Sequence, residues 1–112
     1  MNNIDRLKME IEGFELPDER LTVHLEENEL MATGEYNAQS KTNKRNIYKA
    51  ALSVLESMAN NPNYMKNYKV EDTSVSYLHN NLMKRIDDLQ RKIRVMATDE
   101  DDNENGFFML FS

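Results

Sequence analysis

The residue types that most often carry chemistry are few in this chain and poorly spaced for it. Its two histidines, His24 and His79, lie far apart, and neither belongs to an H-x-x-x-H or H-E-x-x-H pattern. Such patterns place two ligands on one helix face, as metal binding requires. Cysteine is absent, which excludes disulfides and thiolate chemistry. We therefore predict no metal site and interpret both histidines as surface or boundary residues of helices.

Catalytic fingerprints are also missing. The sequence contains no G-x-S-x-G, no P-loop and no dinucleotide-binding motif, and its three glycines are scattered. Carboxylates are plentiful, but a catalytic pair needs a pocket that raises the pKa of one member. Because the carboxylates fall on predicted solvated helix faces or near the C-terminus, we predict a protein that is not an enzyme and has no cofactor.

One stretch near the C-terminus matches half of a calcium-binding loop. Asp101, Asn103 and Asn105 have the spacing of its first three ligands, and Gly106 stands at the position of its turn glycine. The twelfth position, which needs a bidentate glutamate, is Ser112. This stretch overlaps an acidic run, residues 99–104, whose like charges repel each other. Such a run favours an acidic linker over a calcium site.

Five consecutive large apolar residues follow the linker. Burying each of them would contribute about 1.5–3 kcal/mol, enough to anchor a peptide on a partner. This segment either folds back onto its own bundle or docks elsewhere, as an added strand or as a plug in a groove. We favour docking, with these partner-binding residues: Phe107, Phe108, Met109, Leu110 and Phe111.

A basic stretch, Lys41, Lys44, Arg45 and Lys49, contains one aromatic residue, Tyr48. Nucleic-acid binding is one interpretation, but the net charge of the chain is −6, whereas DNA-binding domains usually present a net basic face. The alternatives are a solvated helix terminus or a contact between subunits. We take these four as candidate subunit-contact residues.

Charge is divided into three segments. Residues 1–36 hold ten acidic and three basic side chains, residues 37–98 hold five and eleven, and residues 99–112 hold five and none. Two outcomes are open: the segments neutralise each other within one bundle, or copies stack with acidic flank against basic flank.

Hydrophobic periodicity predicts the elements that position these residues. Ile4, Leu7 and Ile11 indicate a short helix, which we expect Asn3 to cap and Gly13 to end. A second helix is expected to start at Pro17 and to carry the apolar residues Leu21 and Leu25. Residues 29–39 show no clear pattern.

Two longer helices follow. Ser40 or Thr42 is expected to open the third, and a turn at residues 60–62 ends it before proline. Its apolar stripe consists of Ile47, Ala51, Leu55 and Met58. Ser76 is expected to cap the fourth helix, whose seam recurs at three- and four-residue intervals: Leu78, Leu82, Ile86, Leu89, Ile93 and Met96.

These elements predict an all-α fold, a small bundle of about four helices with a long C-terminal helix and an extended acidic and apolar tail. Residues 1–98 are expected to form the helical bundle domain, and residues 99–112 the acidic linker and docking tail. No apolar run approaches the roughly 18 residues of a membrane span, and no signal peptide is recognisable. We accordingly predict a cytoplasmic protein with no membrane partner.

From residue 46 onward the sequence resembles the adaptor proteins of the head–tail connector in tailed bacteriophages and related prophages. Those proteins have an alanine-rich helix, a short loop reading roughly K-x-G-D-x-S-V, and a closing helix. The matching stretches are IYKAAL at 47–52, LESMA at 55–59 and YKVEDTSVS at 68–76, followed by Leu82, Ile86 and Leu89. Glu71 stands where the family commonly has glycine.

The resemblance implies a structural virion protein, found in the phage neck and in the host cytoplasm before assembly. It implies a homo-oligomeric ring of about twelve copies below the portal, through which DNA passes without sequence-specific binding. Its expected partners are the portal protein and the stopper or tail completion protein. Two alternatives remain: a DNA-binding regulator or small DNA-packaging subunit, and a generic cytoplasmic helical interaction module.

Overall fold

A computed structural model describes residues 1–61 and 75–96, with side chains from His79 onward in the second range. Within these residues the protein is all-α, as the sequence predicts, and contains no β-strand. Four helices are present: α1 (Asn3–Glu10), α2 (Asp18–Glu27), α3 (Lys41–Ala59) and α4 (Val75–Val95).

The first helix begins and ends slightly earlier than expected. The side chain of Asn2, not that of Asn3, caps α1 by accepting a hydrogen bond from the Asp5 amide at 3.0 Å. Asn3 is instead the first residue of the helix and is buried. The helix ends at Glu10, and Gly13 takes a left-handed φ of 96° in the turn that follows.

The termini of the longer helices also test the sequence prediction. Ser40 caps α3, because its hydroxyl accepts a hydrogen bond from the Asn43 amide at 3.1 Å. The fourth helix begins at Val75, so Ser76 lies inside it and the prediction of Ser76 as its cap was wrong by at least two residues.

Helix α3 is the centre of the bundle. It packs against each of the other three helices, while α1 and α2 also contact each other. The predicted stripe is confirmed, but burial extends beyond it, because α3 is covered on more than one side. Its buried residues are Ile47, Ala50, Ala51, Val54, Leu55 and Met58.

Helix α4 runs antiparallel to α3. Near its C-terminal end Lys92 lies over Tyr48 in the first half of α3, whereas Ile86 lines a groove with Ala59 at the end of α3. The seam that faces α3 buries Leu82, Ile86 and Leu89. The C-terminal end of α4 therefore lies beside the N-terminal half of α3.

The segment between α2 and α3, residues 28–40, closes onto the start of α1, and it includes residues 29–39, which show no clear pattern in the sequence. The Asn3 amide donates a hydrogen bond to the carbonyl of Gly34 at 2.8 Å, and its side-chain Nδ2 donates to the carbonyl of Met31 at 2.9 Å. Asn43 of α3 donates in turn to Asn3 Oδ1 at 3.2 Å. Leu30 from this segment enters the core.

Several predictions fall outside the described residues. They concern residues 62–74 and 97–112, and therefore the acidic linker, the half calcium loop, the apolar tail and the proposed domain boundary at residue 98. Among the four helices that are described, no stretch has the length and apolar character needed to cross a membrane.

Candidate interaction surfaces

The four basic residues predicted to contact another subunit lie in the first half of α3. Lys41, Lys44 and Lys49 are exposed, and Arg45 is half-buried. Residues three and four positions apart share a helix face, so Lys44 and Arg45 are surface neighbours of Tyr48. Tyr48 thus lies at the middle of a basic helical surface.

Two cations from other helices also reach this tyrosine. The guanidinium carbon of Arg6 in α1 and the Nζ atom of Lys92 in α4 each lie 5.8 Å from the centroid of the Tyr48 ring. These distances fall within the range of cation–π attraction. We call this the Tyr48 surface and define it by six residues: Arg6, Lys44, Arg45, Tyr48, Lys49 and Lys92.

Arg6 is the anchored member of the surface. It forms an ion pair with Glu10 at 2.9 Å and lies 5.3 Å from the centroid of Tyr36. Burial acts to lower the pKa of Arg6, but the ion pair with Glu10 and the contact with Tyr36 outweigh it and raise that pKa. Arg6 is therefore a fixed cation that attaches α1 to α3.

The remaining cations of the Tyr48 surface are not neutralised in the same way. None of Lys44, Arg45, Lys49 and Lys92 forms an ion pair within the part of the chain that the structure describes. The Nε atom of Arg45 is buried and has no hydrogen-bond partner among the described residues. A buried donor without an acceptor costs about 1–3 kcal/mol, so this surface lacks an anionic group that would suit it.

A different arginine joins α4 to the end of α1. Arg85 donates through Nη2 to the carbonyl of Glu10 at 2.6 Å and through Nη1 to the carbonyl of Glu12, and it lies 5.3 Å from the ring centroid of Phe14. The carbonyls at a helix C-terminus lack intrahelical partners. Local sequence does not indicate this contact, because Arg85 and the end of α1 are more than 70 positions apart in the chain.

His24 joins α2 to α3. Its Nδ1 lies 2.7 Å from the hydroxyl of Ser53. Burial lowers the pKa of His24; Glu27 acts to raise it and Arg20 to lower it further. His79 is exposed, and no cluster of three or more metal-ligating side chains occurs among the described residues.

A shallow groove separates the end of α3 from the start of α4. Its volume is about 250 Å³, and Ala59, Met83 and Ile86 form its apolar part. The carboxylates of Glu56 and Asp87 stand at its rim. The groove is small, and its rim would repel an acidic peptide.

Acidic and basic surfaces remain separate on the bundle. Helix α2 has four exposed acids, and within the described residues it contacts α1 and α3 but not α4. The ion pairs between described side chains stay inside residues 1–36 or inside α4, and none links an acid of the first segment to a base of the second. The exposed acids of α2 are Asp18, Glu19, Glu26 and Glu27.

The fold and these surfaces define a small helical bundle with two oppositely charged faces. Comparison with models of protein families, with curated proteins and with solved structures finds no match. The functional interpretation therefore depends on the sequence and on the geometry described above.

Proposed function

We propose that the protein is a structural assembly subunit, an adaptor of the head–tail connector that forms a homo-oligomeric ring below the portal of a tailed bacteriophage. The observation that carries the proposal is that, among the described residues, no ion pair joins the acids of α2 to the cations of the Tyr48 surface. Oppositely charged surfaces that are not paired within one subunit favour contacts between copies, and such heterologous contacts can close into rings.

The resemblance to connector adaptors supports the same proposal. Its alanine-rich stretch coincides with α3, and its closing helix coincides with α4. Its three apolar positions in α4, Leu82, Ile86 and Leu89, are buried against the bundle. The loop at residues 68–74 lies outside the described residues, so this part of the resemblance stays with the sequence alone.

In this proposal the C-terminal tail captures a partner. Residues 99–104 act as an acidic spacer, and residues 107–111 dock on the portal protein or on the stopper or tail completion protein. The ring continues the channel through which DNA passes, without reading its sequence. The protein would then reside in the virion neck, and in the host cytoplasm before assembly.

Electron microscopy tests the proposed ring. The purified chain should be mixed with the portal and tail proteins encoded by its neighbouring genes and imaged by negative stain. We expect rings with a central channel seated on one face of the portal. If the chain stays monomeric in every mixture and no portal carries extra density, the connector proposal fails.

Docking by the apolar tail needs a separate test in the full chain. Replacing Phe107, Phe108 and Phe111 by serine should abolish portal attachment in a pull-down and leave the far-ultraviolet circular dichroism spectrum unchanged. A matched control replaces two exposed apolar residues, Met9 and Met31, by serine, which should leave attachment intact. If the tail variant unfolds instead, the tail belongs to the core rather than to a partner site.

A second candidate function, DNA binding, is favoured by the five cations around Tyr48. Proteins that bind nucleic acid through phosphate contacts lose affinity steeply as salt increases. A gel shift at physiological salt that disappears in a Lys44→Ala, Lys49→Ala variant would support DNA binding. No shift at that salt concentration leaves the connector proposal as the better account.

A further inference from the structure

The C-terminal end of α4 brings the chain to the Tyr48 surface. Lys92 lies over Tyr48, and α4 ends three residues later at Val95. Because α4 runs antiparallel to α3, continuing in its direction leads toward Arg45 and Lys44, about one helical turn or 6 Å before Tyr48. Helix α4 therefore ends next to cations that have no acidic partner among the described residues.

The acidic linker is close enough to reach them. Residues 99–104 begin three positions after Met96, and five of these six residues are acidic. An extended chain covers about 3.3 Å per residue, so the linker starts within about 10 Å of Met96 and ends within about 26 Å. A segment of this length can bring carboxylates to the first half of α3 without any change in the helices.

Three features of this surface favour carboxylates as its ligands. Lys44, Lys49 and Lys92 have no acidic partner among the described residues, and Arg45 has a buried Nε without an acceptor. The first turn of α3 also contains no acidic residue. A helix N-terminus is stabilised by negative charge, and lysines there oppose the helix dipole.

We propose that in the free chain residues 99–104 dock in cis on the Tyr48 surface, with their carboxylates pairing with Lys44, Arg45 and Lys92. A short tether gives an effective concentration in the millimolar range, which exceeds that of a second copy or a nucleic acid at micromolar concentration. If the connector proposal also holds, the linker must leave this surface before the acidic α2 of a neighbouring copy can occupy it. That consequence rests on the proposed function, whereas the docking itself does not.

Disulfide trapping tests the docking, and the absence of native cysteine makes the readout clean. A Lys44→Cys, Asp102→Cys variant is compared with a Lys84→Cys, Asp102→Cys variant, which loses the same charges. Lys84 is exposed on α4, about 18 Å along the helix from Met96 and hence also within reach of the linker. We expect the Lys44 pair to close about tenfold faster, as an intramolecular disulfide on a non-reducing gel.

If the docking is electrostatic, two further results are expected. Raising salt from low to molar concentration should slow closure of the Lys44 pair severalfold, because screening weakens contacts between exposed charges. Replacing the other linker acids, Asp99, Glu100, Asp101 and Glu104, by their amides should slow it to the rate of the Lys84 pair. Circular dichroism should confirm that each variant keeps its helices.

Three results would overturn the proposal. Equal closure rates for the two pairs would show that the linker does not prefer this surface. Disulfides found only in dimers would assign the surface to a second copy. Binding of a duplex oligonucleotide at physiological salt by the native chain, lost in a Lys49→Ala variant, would assign it to nucleic acid. Each of these results concerns the chain alone, so they are independent of ring formation with a portal.

Discussion

Single side chains hold the helices together by contacts that differ in strength. The guanidinium of Arg85 bridges two carbonyls after α1 and lies over Phe14. Arg91, one and a half turns further along the same helix, pairs with Asp87 and Asp88 at an exposed position. Arg85 connects two helices, whereas Arg91 contacts only residues of its own helix. Their replacement should therefore lower the free energy of unfolding by different amounts.

Replacing Arg85 by alanine should lower the free energy of unfolding by about 1.5–3 kcal/mol, because charged hydrogen bonds between elements are lost and the carbonyls of Glu10 and Glu12 lose their donor. Arg91→Ala is the matched control and should cost less than about 1 kcal/mol, since exposed ion pairs contribute little. Urea denaturation measures both. Equal losses would mean that Arg85 does not hold the end of α1.

The lowered pKa of His24 makes stability depend on pH. An unfolded histidine titrates near pH 6.5, so between this value and the lower folded value the unfolded chain binds more protons. Stability is therefore complete above about pH 6.5 and decreases as pH falls through the folded pKa. Part of the His24 imidazole is in contact with solvent, so we expect the free energy of unfolding to decrease by less than about 1 kcal/mol.

Urea midpoints at pH 7.5 and 5.5 measure this effect. The native chain should lose more stability between the two values than a His24→Gln variant, which cannot titrate at this position. Carboxylates contribute equally to both proteins and cancel in the comparison. Identical pH dependence would show that the burial of His24 does not favour its neutral imidazole.

At the scale of elements, the fold is organised around one helix. The apolar residues of α3 are buried on several sides because α1, α2 and α4 each pack against it. Residues 28–40 are fixed by backbone and asparagine hydrogen bonds to the start of α1 rather than by a regular element of their own. The bundle should consequently be most sensitive to changes in α3.

Leu55→Ala should lower the free energy of unfolding by about 2–5 kcal/mol, because Leu55 is fully buried and its truncation leaves a cavity among the packed helices. Leu52 on the same helix is only partly buried, and Leu52→Ala should cost about half as much or less. Thermal unfolding followed by circular dichroism compares the two. A larger loss at Leu52 would contradict the described orientation of α3.

At the scale of the whole molecule, charge is distributed by face. No ion pair joins the acids of α2 to the cations of the Tyr48 surface within the described residues, although α2 packs against α1 and α3, which carry most of that surface. The Tyr48 surface therefore has a local excess of positive charge that an acidic group can neutralise. The acidic linker in the free chain and a neighbouring α2 in a ring are the two groups that we propose.

Charge reversal should disrupt the proposed ring. A variant with Glu19→Lys and Glu26→Lys on α2 should not assemble with the portal, because like charges then meet at the contact between copies. Mixing it with a Lys44→Glu, Lys49→Glu variant should restore assembly in alternating copies. Glu56→Lys, at the groove between α3 and α4, is the control and should assemble normally; negative-stain images provide the count of rings.

The sequence by itself determined the elements. Local periodicity placed all four helices within a few residues of their observed bounds, and it identified Ser40 as one of two candidate caps for α3. It failed by one residue at Asn3, because an asparagine can cap a helix or enter a buried hydrogen-bond network and both choices look alike locally. The segmented charge was also read directly from residue types.

Only the tertiary structure decided which of these residues meet. Arg6 of α1 and Lys92 of α4 both lie over the ring of Tyr48 in α3. Arg85 of α4 donates to a carbonyl at the end of α1, and His24 of α2 contacts Ser53 of α3. Periodicity reports which face of a helix is apolar, but it does not report which helix covers that face or in what direction it runs. The antiparallel packing of α4 on α3 is such a choice, and it alone places the start of the C-terminal segment beside the basic surface.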